Sequence, residues 1–190
     1  MPEYKFERQD KRIEFNECLS LILKMPDKKT KALISALYLS GARISELLYM
    51  KKDDVQYNKK DKTYEFLVIS LKKRGSKKKT SFKSTRTLTF NQTSQLLDFF
   101  VDYFEEFKTY AGKNDLLFPI SRQMVWYYIR KSSKNISPHS FRHSRLQKLA
   151  DSGASAHQIR LFAGHSRLES STSYIEASKF SLKPLKDLIE

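Results

Sequence analysis

The spacing of apolar residues changes from helical to alternating and back again, and this change constrains the fold more than any other feature. Up to residue 50, apolar residues recur every three to four positions, which predicts helices in DKRIEFNECLSLILKM, KKTKALISALYLSG and RISELLYM. Helical spacing returns after residue 92 in QLLDFFVDYFEEFKTY, PISRQMVWYYIRKSS, SFRHSRLQKLADSG, SAHQIRLFAGHS and LESSTSYIEAS. Gly41, Gly153 and Gly164 are predicted to end three of these helices, and Asn91 to cap the start of the long one.

Between the two helical regions the apolar residues alternate. Leu67, Ile69 and Leu71 are predicted to share one face of a strand, and Leu88 and Phe90 alternate in TRTLTF. The two strands are expected to pair through the loop KKRGSKKKTSFKS. The sequence therefore predicts a mainly α protein with a small antiparallel β-sheet, an α+β fold.

The charge of the chain indicates a polyanionic partner. Its 190 residues fit one domain, and they carry a net charge of +15 with a pI of about 9.8. Such an excess favours nucleic acid over a membrane surface. No acidic residue occurs from Phe66 to Leu97, where the basic residues predicted to contact DNA are Lys72, Arg74, Lys77, Lys78 and Lys79. The other interpretation of such a lysine run is a solvated, flexible loop.

The cysteine count and the apolar stretches of the sequence indicate where in the cell the protein is found. Cys18 is the only cysteine, so an internal disulfide is excluded. The apolar runs are too short to span a bilayer, and the start MPEYKFERQD lacks the apolar segment of a signal peptide. A soluble, cytoplasmic, DNA-associated protein without membrane contact is predicted.

The stretch SPHSFRHSRL admits a metal site or a phosphate site. His139 and His143 stand four residues apart, as two zinc ligands on one helical face do. Ser140 occupies the position of the glutamate that zinc hydrolases use, and two arginines flank the histidines, which disfavours a dication. No metal and no cofactor are therefore expected. The guanidinium group of an arginine can instead donate two parallel hydrogen bonds to the oxygens of a phosphate. A nearby histidine can exchange a proton near neutral pH.

The order of four motifs resembles the signature of the tyrosine recombinases, or phage-integrase family. HSFRHS, AGHS and SSTSYIEAS stand in the family's order, with 23 positions from Arg142 to His165 and nine from His165 to Tyr174. SGARISEL at residues 40–47 is similar to the family's first arginine motif and places that arginine at Arg43, one turn before Glu46. The resemblance implies a tyrosine-recombinase catalytic-domain-like fold.

The resemblance also implies a catalytic set with one role for each residue. Tyr174 is the nucleophile and forms a 3′-phosphotyrosyl link, while Arg43 and Arg142 clamp the phosphate. His139 is the candidate base, His165 a hydrogen-bond donor to the phosphate, and a lysine of the hairpin the general acid. Lys73 is chosen because the family often reads lysine, any residue, glycine there; Lys72 is the alternative. His143 is interpreted as a supporting neighbour, and His157 as a capping or packing residue.

Domain organisation and partners follow from the same resemblance. Residues 1–178 are expected to form the catalytic domain, and residues 179–190 a tail that docks on a neighbouring subunit or folds back on its own domain. The family's amino-terminal core-binding domain is expected to be absent, so the chain is interpreted as a fragment or a minimal member. The implied partners are double-stranded DNA with a specific recombination site and further copies of the chain, in a tetramer.

The implied activity is site-specific recombination or integration without metal or ATP, in a prokaryotic or viral element. Two alternatives stay open. One is a type IB topoisomerase, which rejoins the same strand. The other is a DNA-binding module that derives from an integrase and does not catalyse alone.

Overall fold

The computed structural model describes residues 12–70 and 85–178. These residues form eight α-helices and one three-stranded sheet, and the predicted fold class, mainly α with a small antiparallel sheet, is confirmed. In chain order the elements are α1 Phe15–Leu23, α2 Lys28–Ser40, α3 Ile44–Leu48, β1 Val55–Asn58, β2 Thr63–Ile69, β3 Thr85–Asn91, α4 Gln95–Tyr110, α5 Arg122–Ser132, α6 Pro138–Asp151, α7 Ala156–Ala163 and α8 Glu169–Glu176.

Helix α2 lies at the centre of the domain and is buried along most of its length. The Asp27 side chain accepts a hydrogen bond from the Thr30 backbone N–H and caps its start. The predicted stop at Gly41 is confirmed, because Gly41 adopts a left-handed conformation (φ 55°) and its N–H bonds to the Leu37 carbonyl. Helices α1, α4 and α6 all pack on α2, so its carboxyl end is held firmly in the core.

The sheet is an antiparallel meander in the order β1-β2-β3. Leu67 and Ile69 share one face of β2 as predicted, but the core buries the other face, and Leu71 lies outside the described residues. Tyr64, Phe66 and Val68 face the core, whereas Leu67 is 39% exposed and lies on the opposite face. The reason is aromatic packing: Phe66 contacts Phe90 and Phe100 at ring-centroid distances of 4.9 and 4.5 Å, so the even-numbered face carries more buried area.

Two further expectations need correction. Asn91 does not cap the long helix, because β3 continues through Asn91 and the helix begins after Ser94. Strand β1 was not expected, since its four residues show a single buried side chain, Val55, and no clear alternation. Pairing with β2, not hydrophobic pattern, places it in the sheet.

The last three helices form a second, smaller core beside the main one. Ser137 caps α6 and Pro138 occupies its first turn, where a missing backbone N–H costs nothing. Leu146, Ala150, Ile159 and Ala163 are buried where α6 meets α7, and Tyr174 and Ile175 of α8 pack against them. Among the described residues, no helix is long and apolar enough to cross a membrane.

Replacing Phe66 with alanine should lower the free energy of unfolding by about 3–5 kcal/mol, because it leaves a cavity in the aromatic cluster. Leu67→Ala, on the outer face of the same strand, should cost less than about 1 kcal/mol. Urea unfolding of both variants measures the two values. Equal losses would contradict the assigned phase of β2.

Candidate active site

A cleft of about 2030 Å³ runs between the sheet and α3 on one side and α5 to α8 on the other. Five of the six residues predicted to be catalytic line it: Arg43, His139, Arg142, His165 and Tyr174. The sixth, Lys73, lies outside the described residues, as do Lys72, Arg74, Lys77, Lys78 and Lys79. The structure thus brings together side chains that are up to 131 positions apart in the sequence.

Arg142 is the most buried of these groups, with 3% of the residue exposed. Its Nη1 donates to the Gly41 carbonyl at 2.7 Å and its Nη2 to the Ala163 carbonyl at 2.8 Å. Both carbonyls stand at helix carboxyl ends, which favour cations. Burial, and then the charge of Arg43, lower the pKa of Arg142 to about 10, so it stays protonated at neutral pH. The guanidinium has five N–H donors, so three remain for an anion in the cleft.

Arg43 immediately precedes α3 as its N-cap residue, and it forms an ion pair with a buried carboxylate. Its Nη1 donates to Glu46 Oε1 at 2.9 Å, and its backbone N–H donates to Glu46 Oε2 at 3.0 Å. Glu46 Oε2 also accepts from Arg86 Nη2 at 2.8 Å. Burial alone raises the pKa of Glu46, but the charges and hydrogen bonds of Arg86 and Arg43 outweigh it and hold that pKa below its usual value of 4.5. Glu46 therefore remains ionised and holds two arginines in place.

His165 enters the cleft because α7 ends at Gly164. Gly164 has a left-handed φ of 64°, and a Cβ there would lie 2.7 Å from both Arg86 Nη1 and Ser70 Oγ, so the tight turn requires glycine. His165 Nδ1 is 2.8 Å from the buried Ser171 Oγ. Burial, and then the charges of Arg142 and Arg43, lower the pKa of His165 to about 4. A neutral His165 that accepts from Ser171 at Nδ1 carries its proton on Nε2.

Tyr174 lies on α8, and α6 holds it at two points. Its Oη is 2.8 Å from His143 Nδ1, and its backbone carbonyl accepts from Gln147 Nε2 at 3.2 Å. His143 and Gln147 are one turn apart on the same face of α6. His139, a further turn towards the start of α6, contacts His143 edge to face at a centroid distance of 5.1 Å.

Sequence reasoning missed several residues of the cleft. His143 was interpreted only as a neighbour, and no local pattern connects it with Tyr174. Arg86 was not distinguished from the other basic residues of its region. The outer part of the cleft adds Arg122, Trp126 and Arg130 from α5 and Arg160 from α7. The spacing of the three α5 residues, four apart, was the available signal for a shared face.

The described lining of the cleft contains arginines and histidines but neither aspartate nor glutamate. Within residues 12–70 and 85–178, no three His, Cys, Asp or Glu side chains are grouped as metal ligands would be. Six arginines and three histidines line the cleft together with neutral hydroxyl and amide groups, and such a lining suits a phosphate anion.

Residues 11–180 match the model of the phage integrase family. The chain belongs to that family. It is 29% identical over 175 residues to the tyrosine recombinase XerD of Corynebacterium glutamicum, an alignment that covers 83% of this chain and 51% of the relative. Other members of the phage integrase family that it matches include XerD of Staphylococcus saprophyticus, at 24% identity over 91% of this chain and 60% of the relative.

Solved structures show the same fold for this integrase-family chain. It superposes on the XerH site-specific recombinase in a post-cleavage complex with a palindromic difH substrate, with a TM-score of 0.68 and 18% identity over 94% of this chain and 52% of that one. The chain spans about half to three fifths of the length of the first curated relatives that it matches.

Replacing Glu46 with glutamine should lower the free energy of unfolding at pH 7 by about 3 kcal/mol, because it leaves the buried Arg86 without its counter-charge. A carboxylate with a lowered pKa stabilises the fold above its unfolded pKa, and that stability is lost as the pH falls through the folded pKa. The difference between the two proteins should therefore be constant from pH 7 to 5 and shrink below 4.5.

Urea unfolding of both proteins from pH 7 to pH 3 measures this difference. Glu169→Gln, on the exposed first turn of α8, is the matched control and should behave like the unsubstituted chain. If the difference in the free energy of unfolding between the unsubstituted chain and Glu46→Gln does not change below pH 4.5, the ionised state assigned to Glu46 is contradicted.

Proposed function

We propose that this chain is the catalytic part of a site-specific DNA recombinase that cleaves and rejoins DNA through a 3′-phosphotyrosyl intermediate. The observation that carries the proposal is the cleft itself, which Tyr174 lines together with Arg43, Arg142 and His165. These are the groups that a transfer of a phosphodiester to a tyrosine requires: a nucleophile, cations for the phosphate and a hydrogen-bond donor.

Double-stranded DNA is the proposed substrate. The net charge of +15 and the arginine-lined cleft both support a polyanion. One solved relative of the same fold was crystallised with its difH substrate in a post-cleavage complex, which supports DNA for this chain as well. We further propose that the DNA carries a specific recombination site and that two duplexes are held by a tetramer, as the family resemblance implies.

In the proposed cleavage step, Tyr174 Oη attacks the scissile phosphorus and the bond to the 5′-oxygen breaks. Arg43 and the free N–H groups of Arg142 bind the non-bridging oxygens, and they stabilise the charge that grows on these oxygens in the transition state. His165, neutral and protonated on Nε2, donates a further hydrogen bond. Its low pKa fits this role, because it acts as a donor and not as an acid.

Two proton transfers complete the step. The leaving 5′-oxygen takes a proton from a general acid, for which Lys73 is the proposed residue. The phenol of Tyr174, with an ordinary pKa of about 10, must lose its proton to a base. His139 was predicted for that role, and the two histidines of α6 are the candidates. The phosphotyrosyl link conserves the energy of the phosphodiester, so rejoining needs no ATP.

The test is a nicked suicide duplex that carries the cognate site and traps the covalent product. We expect a denaturation-resistant protein–DNA adduct from the full chain and none from Tyr174→Phe, because phenylalanine lacks the attacking oxygen. Tyr127→Phe, an exposed tyrosine of α5, should form the adduct as the unsubstituted chain does. EDTA should leave the yield unchanged, since arginines supply the positive charge.

The outcomes also separate the alternatives. DNA binding without any adduct would favour a DNA-binding module. An adduct that persists in Tyr174→Phe would contradict the choice of nucleophile. Relaxation of supercoils without exchange between two duplexes would indicate a topoisomerase.

A further inference from the structure

We propose that His143, and not His139, is the base that takes the phenolic proton of Tyr174 during DNA cleavage. This inference rests on the function proposed above and names a catalytic residue of that same site. It depends on one contact and on the way in which α6 and α8 hold that contact in place.

The contact joins the reacting atom to an imidazole nitrogen. Tyr174 Oη lies 2.8 Å from His143 Nδ1, an ordinary distance for a hydrogen bond from a hydroxyl group. The two rings are tilted by 36° with centroids 5.8 Å apart, so they meet at their edges and do not stack. A neutral histidine with its proton on Nε2 accepts at Nδ1, and the hydroxyl proton then points at its acceptor before the reaction begins.

The backbone of Tyr174 is fixed as well as its hydroxyl. Gln147, one turn beyond His143, is 6% exposed and donates to the Tyr174 carbonyl. Its Nε2 also donates to Asp151 Oδ1 at 3.0 Å, which sets the direction of the amide. One face of α6 therefore holds both ends of Tyr174, and the contact with His143 is built into the packing of α8.

The position of His139 suits a different task. It lies in the first turn of α6, is exposed at the cleft surface, and meets the ring of His143 edge to face. From this place His139 contacts the ring of His143 and lines the cleft in which a DNA phosphate would bind. Along α6, His143 lies between His139 and Gln147, and both His143 and Gln147 form hydrogen bonds with Tyr174 of α8.

The proposed step transfers one proton from Tyr174 to His143. The Oη–H bond of Tyr174 breaks and an Nδ1–H bond forms on His143, while Oη forms its bond to phosphorus. The bond from phosphorus to the 5′-oxygen breaks, and that oxygen takes a proton from the general acid. On rejoining, the 5′-hydroxyl returns its proton to the general acid and its oxygen bonds to phosphorus, while the bond from phosphorus to Tyr174 Oη breaks and the imidazolium of His143 returns the proton to Oη.

The experiment measures single-turnover adduct formation on the nicked suicide duplex by the full chain, His143→Gln and His139→Gln. Each protein is made with natural tyrosine at position 174 or with a ring-fluorinated analogue whose phenol ionises near neutral pH. We expect His143→Gln to cleave about 100-fold more slowly, which is the ordinary contribution of a general base. The analogue should restore most of that rate, because an ionised phenol needs no base. His157→Gln, an exposed histidine of α7, is the matched control and should cleave normally.

Restoration by the analogue separates proton transfer from positioning. We expect no restoration in His139→Gln. A normal rate in His143→Gln would overturn the proposal, as would a slow rate that the analogue does not restore. Restoration in His139→Gln alone would assign the base to His139.

A second measurement does not need catalysis. With 3-fluorotyrosine in place of Tyr174, the ¹⁹F resonance of the free chain should report two coupled titrations, of the phenol and of the imidazole. In the His143→Gln variant only one of these two titrations should remain, although His139 and Arg142 are present in both proteins. If the unsubstituted chain forms no adduct, the proposed function fails. Identical ¹⁹F titrations in the two proteins would overturn the role of His143 separately.

Discussion

The cleft depends on one buried cation and the two carbonyls that it joins. Arg142 spans from the Gly41 carbonyl, at the end of α2, to the Ala163 carbonyl, at the end of α7. A buried guanidinium is costly unless hydrogen bonds and favourable dipoles offset its loss of water, and the two helix ends supply both. Each carbonyl directly precedes a turn that leads to another functional side chain. The bond to Gly41 fixes the start of the segment that carries Arg43, and the bond to Ala163 fixes the turn that carries His165.

The charges of the site are unbalanced in a way that favours an anion. Glu46 is the carboxylate that neutralises part of the charge of Arg43 and Arg86, and it is buried behind them. Arg142 is bound by neutral carbonyls, so its charge has no ionic partner among the residues that the structure describes in contact with it. Burial, together with the same positive surroundings, lowers the pKa of His165 and keeps it neutral. A phosphate in the cleft would offset this excess charge, and it would meet donors that are already fixed in place.

The sequence predicted the fold class because helical and alternating spacing are local signals. The three glycines with positive φ, Gly41, Gly153 and Gly164, were predicted as helix ends for the same reason. Which face of β2 is buried was not predicted, because Leu67 and Ile69 resemble core residues and only the aromatic contacts of Phe66 decide which face is buried. The start of α4 was misplaced, because Asn91 is a good cap but is held in β3 by pairing with Thr63.

The residues of the candidate site also divide into those that local sequence patterns predict and those that only packing brings together. Arg43, Arg142, His165 and Tyr174 were predicted by motif order, since family motifs lie in short stretches of sequence. The partners that position them were not, because Glu46 and Arg86 are 40 positions apart and His143 and Tyr174 are 31 apart. Such pairs form through packing of different elements, and no spacing rule within one element reports them.

In the proposed function, Arg142 holds the cleft together while it binds the phosphate. The most direct measurement is a crystal structure of Tyr174→Phe bound to the nicked duplex. The account predicts the scissile phosphate with a non-bridging oxygen about 3 Å from Arg142 and another from Arg43, while the bonds from Arg142 to Gly41 and Ala163 persist. A phosphate bound away from Arg142, or an Arg142 that leaves both carbonyls to reach it, would contradict the account.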